Sequence, residues 1–514
     1  MQPINYRRFH VAAACALLAP VFSFAQNSAT FNIVTSNAEP DNPGNIYAVD
    51  VNNDGLTDIV EDNGYSPGNY IYVNINTGNG TFSAPVSYTL PAGYSPVCIA
   101  PSDYNNDGKV DLAVPLDGTD QIAVYLGSGN GTFQTPIVTT VTLPNDDTFN
   151  DAGCAAADFN GDGNKDLAAW GNAGLYVIQG EGTGSFNATA NSVPATLNGY
   201  WPQLFVGDYN GDGKADIVTA PGQTGGPSTI TVYYGNGDFT FNQTTPYTSS
   251  GMMMIGSGDL NSDGITDLYA IANNNGTTQL GAFYGTQSNT FNSYWINAPT
   301  GYNIGAGSAA PPFAAVLTMG DYNGDGRMDL ATAGTDSSTN DVVTVLFLAG
   351  ANPGEFTTQE VTLPVTPSWT TSPVAGLLSG GYLKPDLTTN VGNLGSDDTT
   401  PTTLPALLNT TNGYFGLCPY PKSGKGINVC ASGISRGNLA GFSAAADSFG
   451  KLRKIELWVD GAKVHEQDDA WDTHAYFDWA GKFPSGEHHG TFYAYDIDNA
   501  RQQYNFTFNI GGGR

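Results

Sequence analysis

Residues 158–166 read Asp-Phe-Asn-Gly-Asp-Gly-Asn-Lys-Asp, and this stretch decides the fold that the sequence predicts. Side-chain oxygens stand at positions 1, 3, 5 and 9 of the stretch, and the backbone carbonyl of Asn164 stands at position 7. Together they supply the all-oxygen coordination that Ca²⁺ prefers. Gly163, at position 6, permits the left-handed backbone of a sharp turn. The stretch therefore predicts a calcium-binding loop.

The same spacing occurs six times in the chain, with Asp, Asn, Asp and Asp at positions 1, 3, 5 and 9. We call these stretches the acid loops. Their predicted ligands, with the position-7 residue acting through its carbonyl, are Asp50, Asn52, Asp54, Leu56 and Asp58; Asp103, Asn105, Asp107, Lys109 and Asp111; Asp158, Asn160, Asp162, Asn164 and Asp166; Asp208, Asn210, Asp212, Lys214 and Asp216; Asp259, Asn261, Asp263, Ile265 and Asp267; and Asp321, Asn323, Asp325, Arg327 and Asp329. We predict about six structural Ca²⁺ sites.

The acid loops recur at a distance that suits one propeller blade. Their first aspartates lie 50 to 62 residues apart, the length of four short strands with their connections. A second marker, Gly-x-Gly-x-Phe, recurs at 78–82, 129–133, 182–186 and 235–239, each time after an alternating strand. It predicts a hairpin turn whose phenylalanine packs between blades. The chain is therefore expected to be all-β, with a seven-bladed β-propeller over residues 26–417.

The seventh repeat is altered. Residues 378–387 align with the sixth acid loop, but Gly381 replaces the first aspartate, about three residues are missing, and only Asp386 remains. We predict a seventh blade without metal. An unassigned strand, Phe31 to Val34, precedes the first repeat, and we predict that it pairs with Leu404 to Asn409 and closes the ring.

The acid loops and the glycine-phenylalanine turns together resemble the FG-GAP/VCBS repeats of integrin α-subunit heads and of many exported bacterial proteins. The resemblance covers about residues 30–417. It implies a seven-bladed β-propeller with Ca²⁺ in loops between the first two strands of its blades. EF-hands and dockerins share the core of the motif, but an EF-hand needs glutamate at position 12, and only the first loop offers one, Glu61.

Beyond residue 417 the composition changes, and ten of the fifteen basic residues that follow the predicted signal peptide lie there. Short alternating stretches predict a second β-domain of about 95 residues, a size that suits a small sandwich. Lys454 to Gly461, followed by Tyr493 to Asp496, resembles bacterial immunoglobulin-like domains. We expect an Ig-like β-sandwich over residues 418–514.

The N-terminus is typical of a cleaved secretory signal at residues 1–25. Arg7 and Arg8 precede an apolar run from Val11 to Phe24, and Ser23-Phe24-Ala25 matches a cleavage site. Pro20 interrupts the run, which disfavours a retained membrane anchor, and a lipoprotein modified at Cys15 is a weaker alternative. No other segment is predicted to cross a bilayer, so a secreted or cell-surface protein is expected.

Four cysteines remain after the predicted signal peptide, an even number that suggests pairing in an exported protein. Cys418 and Cys430 would close a short loop at the start of the second domain. Cys98 and Cys154 precede the first aspartates of adjacent repeats by five and four residues, which favours proximity, although the one-residue offset favours opposite strand faces.

Charge and histidine content limit the function classes. The net charge is −30 and basic residues are scarce before residue 418, so nucleic acid and anionic membranes are poor partners. No histidine occurs between Gln26 and Val464, which rules out a histidine-based triad or zinc site there. Gly433 to Gly437 matches a nucleophile elbow only in letters, because that motif needs a large α/β sheet. A cluster with His465 and His474 is better explained as a polar loop than as a metal site.

The sequence therefore favours a non-enzymatic, calcium-binding propeller that takes part in adhesion or binding outside the cell. Its partner would be an extracellular protein or glycan. One alternative is a lectin that stacks sugars on Trp170, Trp201, Trp295 or Trp369, although these side chains also suit packing between blades. Another is an accessory part of a polysaccharide-degrading system, for which paired carboxylates stay open.

Overall fold

A computed structural model describes most of residues 29–510. The longer gaps in the described chain are 40–44, 63–68, 196–201, 221–227, 298–301, 305–316, 337–341, 363–368, 377–385, 393–401, 410–413, 416–426, 468–473 and 497–500, and gaps of one to three residues occur elsewhere. Apart from single 3-10 turns at Pro91–Gly93 and Pro144–Asp146, the regular elements of the described residues are strands. The all-β prediction is confirmed.

The first three sheets are antiparallel and four-stranded, and in each the spatial order of the strands follows their order in the chain. The first consists of β2 (Ile46–Val49), β3 (Asp58–Asp62), β4 (Tyr70–Asn74) and β7 (Val86–Thr89). The chain between β4 and β7 forms a separate small hairpin of β5 (Asn76–Gly78) and β6 (Thr81–Phe82). The second consists of β8 (Ala100–Ser102), β9 (Asp111–Pro115), β10 (Gln121–Tyr125) and β11 (Ile137–Thr140). The third consists of β12 (Phe149–Ala157), β13 (Asp166–Gly171), β14 (Leu175–Gly180) and β15 (Phe186–Val193).

The next three sheets repeat this plan. The fourth consists of β16 (Gln203–Gly207), β17 (Asp216–Ala220), β18 (Ser228–Gly235) and β19 (Phe241–Ser249). The fifth consists of β20 (Met253–Gly258), β21 (Asp267–Asn274), β22 (Thr277–Thr286) and β23 (Thr290–Asn297). In the sixth, β24 (Tyr302–Ile304) and β25 (Thr318–Gly320) both pair with β26 (Asp329–Asp336), which is followed by β27 (Val342–Ala349) and β28 (Phe356–Thr362).

The N-terminal strand completes the last sheet of this series. β1 (Phe31–Glu39) pairs antiparallel with β33 (Thr402–Asn409), and Phe31 lies opposite Asn409 while Val34 lies opposite Ala406. The remaining strands of the sheet are β29 (Trp369–Thr370), β30 (Val374–Gly376), β31 (Asp386–Thr388) and β32 (Val391–Gly392). The predicted pairing of the N-terminal segment is confirmed, and it joins the two ends of the array in one sheet. The altered acid loop of this repeat lies mostly outside the described residues.

Packing between consecutive sheets follows from the sequence of their second strands. β9, which reads Asp-Leu-Ala-Val-Pro, is buried at every position, as are β3, β13 and β17. A short apolar run bounded by turns is the pattern of a strand covered on both faces. The fourth strands, such as β7 and β11, are instead half exposed. The second strands therefore lie between neighbouring sheets and the fourth strands form the rim.

Six hydrophobic clusters each join one sheet to the next, from the first pair to the sixth and last sheets of the array. The ring closes where β2 of the first sheet contacts β30 of the last. A disulfide between Cys98 and Cys154, with Cα atoms 5.9 Å apart, bridges the second and third sheets and confirms that predicted pair. Cys418 lies outside the described residues, so the second pairing stays a prediction.

The C-terminal part contains two further four-stranded sheets. One runs in the order β34 (Tyr414–Phe415), β35 (Ile427–Arg436), β36 (Leu439–Ser448) and β39 (His474–Lys482). The other runs in the order β38 (Ala462–Gln467), β37 (Leu452–Val459), β40 (Gly486–Asp496) and β41 (Arg501–Ile510). Ala440 of the first sheet packs in one core with Leu457 and Phe492 of the second. The two sheets face each other, and their assignment to an Ig-like domain stays a prediction.

Candidate metal centres

Each acid loop connects the first two strands of its sheet, where the sequence predicts it. The first five loops are described almost completely. In the sixth, Asn323 and Asp329 are described, while Asp321 and Asp325 lie outside the described residues. The loops therefore recur at one edge of successive sheets.

The second loop shows how these turns are built. Both oxygens of Asp103 accept backbone hydrogen bonds, from Asp107 N at 3.1 Å and from Gly108 N at 2.8 Å. Asn105 Oδ1 also accepts from Asp107 N, at 3.0 Å, and Asp107 Oδ1 accepts from Lys109 N, at 3.0 Å. Side chains of this kind commonly bond to the backbone two residues further along. The acidic side chains thus shape the loop around the first aspartate.

The third, fourth and fifth loops share this bonding. In each, the first aspartate accepts from the backbone N–H groups of positions 5 and 6, and the third position accepts from position 5. Gly163 has φ of +88°, which confirms the left-handed backbone predicted at position 6. The local sequence therefore sets the loop conformation independently of its neighbours.

The ninth-position aspartate has a second structural role that sequence reasoning missed. Asp111 is fully buried, and its two oxygens accept hydrogen bonds from Tyr104 N at 3.0 Å and from Gly127 N at 2.7 Å. The first donor lies in the acid loop and the second just after the third strand. Asp58, Asp166, Asp216, Asp267 and Asp329 are also fully buried and make the same two contacts. Each of them ties the acid loop to the end of the third strand of its own sheet.

The carboxylates of each loop are close enough to affect one another. Burial and, to a smaller extent, the neighbouring carboxylates of Asp50 and Asp54 together raise the pKa of Asp58 to about 8. Burial likewise raises the pKa of Asp111 to about 7, with contributions from Asp103 and Asp107. Backbone hydrogen bonds oppose both shifts. Such crowding of like charges disfavours ionisation, and a nearby cation would reverse the effect.

The donor set fits Ca²⁺, because each loop offers three carboxylates, a carboxamide and a backbone carbonyl and no nitrogen or sulfur ligand. As the described side chains lie, no group of three or more acidic, histidine or cysteine residues forms a metal site. The oxygens at positions 1, 3 and 5 are turned towards backbone N–H groups of the loop. Binding an ion would require these short side chains to turn from those N–H groups to the metal.

The acid loops also contact the glycine-phenylalanine turn of the following sheet. Gly184 N of the turn donates to Tyr104 O at 2.9 Å, and the two neighbouring acid loops also contact each other, since Asn106 Nδ2 donates to Asn164 Oδ1 at 2.9 Å. The ring of Phe186 lies 5.4 Å from that of Tyr104, so the predicted packing of this phenylalanine between sheets is confirmed. Loop and turn thus form one continuous contact between neighbouring sheets.

The fourth glycine-phenylalanine turn brings two phenylalanines, Phe239 and Phe241, against the cluster between the third and fourth sheets, so the predicted packing is confirmed here too. Its pattern ends at Phe239, which has φ of +65°. The ring that meets Phe159 of the preceding acid loop, at 6.0 Å, belongs to Phe241. Phe241 lies opposite Gly235 at the start of the fourth strand, as Phe186 lies opposite Gly180 in the third sheet. The turn is two residues longer, and Phe241 makes the ring contact with Phe159 while Phe239 packs on the same cluster.

The tryptophans proposed for sugar stacking are packing residues where they are described. Trp170 is only 2% exposed and belongs to the cluster between the third and fourth sheets. Trp295 is partly buried, and its ring lies 4.4 Å from that of Tyr247 and 5.3 Å from that of Phe283. Trp201 and the side chain of Trp369 lie outside the described residues. The burial of Trp170 excludes stacking of a sugar on its ring, and the ring of Trp295 already packs against neighbouring aromatic rings.

The catalytic motifs weighed in the C-terminal part lack the required context. Ser435 lies within β35, a ten-residue strand, and not in a strand-turn-helix junction. His465 lies on β38 and His474 on β39, which belong to different sheets. Asp468, Asp469 and Asp472 fall outside the described residues.

Within the described residues no helix is long and apolar enough to span a bilayer.

A ring of sheets with acid loops at one edge defines a β-propeller built from sequence repeats. Residues 63–114, 103–169, 158–219 and 259–332 match the model of the FG-GAP-like repeat. Residues 63–219 and 259–332 of the β-propeller therefore consist of FG-GAP-like repeats, in agreement with the resemblance of the loops and turns.

Solved structures with a similar course include propellers and extracellular domains. An Agrocybe aegerita lectin, described as recognising non-reducing terminal N-acetylglucosamine, is 20% identical over 62% of this chain and 80% of that chain, with a TM-score of 0.43. The Nup133 β-propeller domain of Vanderwaltozyma polyspora is 10% identical over 73% of this chain and 100% of that chain, with a TM-score of 0.38. The extracellular domain of a one-component system from B. thetaiotaomicron is 8% identical over 91% and 81%, with a TM-score of 0.21. No curated protein matches the chain in sequence.

Proposed function

We propose that this protein is an exported propeller stabilised by Ca²⁺ in its acid loops, and that it serves as a non-enzymatic binding or adhesion module outside the cell. One observation carries the proposal: the same oxygen donors stand at the same strand junction in sheet after sheet. Repetition of one site around a ring is the pattern of a structural ion. A catalytic site needs only one copy.

The position of the loops explains how an ion would stabilise the ring. Each acid loop lies between the first two strands of its sheet, and the first two loops accept a backbone hydrogen bond from the turn of the next sheet, at Val51 from Gly131 and at Tyr104 from Gly184. An ion would reduce the repulsion between crowded carboxylates and fix the loop that makes this contact. At about 1 mM Ca²⁺ and a Kd of about 10 µM, linkage gives about 2.7 kcal/mol for one site.

The non-enzymatic part of the proposal is supported by side-chain chemistry. The propeller sequence contains no histidine, and most of its aspartates are the acid-loop residues. Glutamate, a common acid catalyst, occurs between residues 26 and 417 only at Glu39, Glu61, Glu181, Glu355 and Glu360. These features favour a scaffold that presents a binding surface to an extracellular protein or glycan.

Calcium removal provides the test. We expect excess EGTA to lower the melting temperature of the mature chain substantially, and added Ca²⁺ to restore it. Calorimetric titration should count about six sites, while Mg²⁺ at the same concentration should restore little, because it prefers a rigid octahedral shell. A melting curve that is unchanged in excess EGTA would contradict the proposal that Ca²⁺ stabilises the structure.

A further inference from the structure

A cleft of about 490 Å³ lies between the second and third sheets. Its walls are Tyr94, the β9–β10 turn at residues 118–121 and the sheet-to-sheet connection at residues 142–148. The acid loop of the second sheet precedes β9, and the 118–121 turn follows β9, so they lie at opposite ends of this strand. The cleft therefore opens at the edge of the ring opposite the acid loops.

The walls of the cleft are held by contacts between the two sheets. Phe149 N donates to Thr119 O at 2.7 Å, and Gly118 N donates to Phe149 O at 3.0 Å. The Cys98–Cys154 disulfide joins the same two sheets. Asp147 Oδ2 accepts from Tyr176 Oη at 2.9 Å and from Ala173 N at 2.8 Å. The shape of the cleft is thus set before any ligand arrives, which lowers the entropic cost of binding.

The side chains at the rim are hydrogen-bonding groups beside one aromatic ring. The carboxylates of Asp120 and Asp146 accept no hydrogen bond from the described residues. The side chain of Gln121 adds an amide group. Tyr94 is 39% exposed, one of four large hydrophobic side chains that are exposed in the described chain. Carboxylates form strong hydrogen bonds to hydroxyl groups, and an aromatic face packs on the apolar face of a sugar ring.

We propose that this cleft binds a neutral, hydroxyl-rich saccharide, with Tyr94 stacking on one ring and Asp120 and Asp146 accepting hydrogen bonds from its hydroxyls. The assignment rests on the proposed function of the protein as a binding module and names the ligand class. The volume lies within the range of about 300–1,000 Å³ that is usual for small-ligand pockets. The carboxylates of Asp120, Asp146 and Asp147 would repel uronic acids, sulfated sugars and phosphates, which excludes anionic ligands.

The test uses the full mature chain and immobilised oligosaccharides. The neutral probes are cellohexaose, chitohexaose, mannohexaose and a linear galactan, and the comparison probes are polygalacturonate and a lysine-rich peptide. We expect the wild-type chain to bind at least one neutral probe. Tyr94→Ala should weaken that binding about tenfold, and Asp146→Asn about fivefold. Tyr294→Ala, at a tyrosine that is 43% exposed on β23, is the matched control and should bind as wild type does.

Each result bears on the proposal. Wild-type affinity in both Tyr94→Ala and Asp146→Asn would show that the cleft is not the site, and binding to polygalacturonate, to the peptide or to no probe would overturn the neutral-saccharide assignment. Melting temperatures of all variants, measured in Ca²⁺, verify that they fold. The melting shift in EGTA is independent of the cleft, so failure of this inference and failure of the calcium scaffold can be told apart.

Discussion

The two edges of the ring differ in how much of their structure repeats. At the acid-loop edge, the fully buried ninth-position aspartates of six sheets accept the same pair of backbone hydrogen bonds. At the opposite edge, the described connections from one sheet to the next differ in length, with ten residues at 90–99 and eight at 141–148. A contact that recurs in six sheets serves the architecture. Connections that differ from sheet to sheet can each form a different surface. The cleft between the second and third sheets is one such surface.

The largest expected effect concerns the buried aspartate of an acid loop. Asp111→Ala leaves the N–H groups of Tyr104 and Gly127 without their acceptor in a buried site. Each unsatisfied group costs about 1–3 kcal/mol, so we expect the free energy of unfolding to fall by about 4 kcal/mol. Urea denaturation in excess EGTA measures this loss without any contribution from a bound ion.

Asp107→Ala is the matched control within the same loop. Asp107 is exposed and bonds to Lys109, so its removal in EGTA should cost less than about 1 kcal/mol. Equal losses for the two variants would contradict the distinction between the ninth position and the rest of the loop. Urea denaturation of the same two variants can be repeated in Ca²⁺. The difference between the two conditions separates the hydrogen bonds that Asp111 accepts from the backbone from its proposed role as a calcium ligand.

The next effect tests whether the acid-loop edge holds neighbouring sheets together. Gly184 has φ of +82°, and a Cβ there would lie 2.7 Å from Leu126 Cδ2 of the preceding sheet. Gly78 has φ of +90°, and a Cβ there would meet nothing within 4 Å. Gly78→Ala should therefore cost only the left-handed backbone, about 1 kcal/mol, and Gly184→Ala about 2 kcal/mol. If urea midpoints show the same loss for both, crowding at the sheet interface is not significant.

The sequence predicts the repeated edge well because repetition multiplies a weak local signal. Six acid loops and the recurrent glycine-phenylalanine turns specify strand order, and the pairing of Phe31 to Val34 with the last sheet follows from counting strands. The disulfide between Cys98 and Cys154 is predicted less firmly, because their similar places in adjacent repeats favour proximity whereas the one-residue offset favours opposite strand faces. The strand order and the pairing of the N-terminal strand need only the register of one repeat against the next.

Other features depend on contacts that no single repeat contains. The contact of Asp111 with Gly127 joins residues that come together only when the third strand pairs with the second. The ring contact of Phe241 with Phe159, beyond the phenylalanine of the repeated pattern, follows from the longer turn of one sheet. The cleft is formed by Tyr94 and two connections that share no motif, so only the packing of two sheets brings them together.

The smallest expected effect lies at the opposite edge, beside the cleft. Tyr176→Phe removes the hydrogen bond from the phenol to Asp147, and burial together with this carboxylate raises the pKa of Tyr176 to about 12. Asp147 keeps the hydrogen bond from Ala173 N, so we expect the free energy of unfolding to fall by only about 1 kcal/mol. The slope of this free energy against urea concentration should not change. Tyr94→Phe, at an exposed tyrosine of the cleft, should leave the urea midpoint unchanged. A loss at Tyr176 as large as that of Asp111→Ala would mean that both edges stabilise the ring equally, and the division between a repeated scaffold and an individual recognition surface would fail.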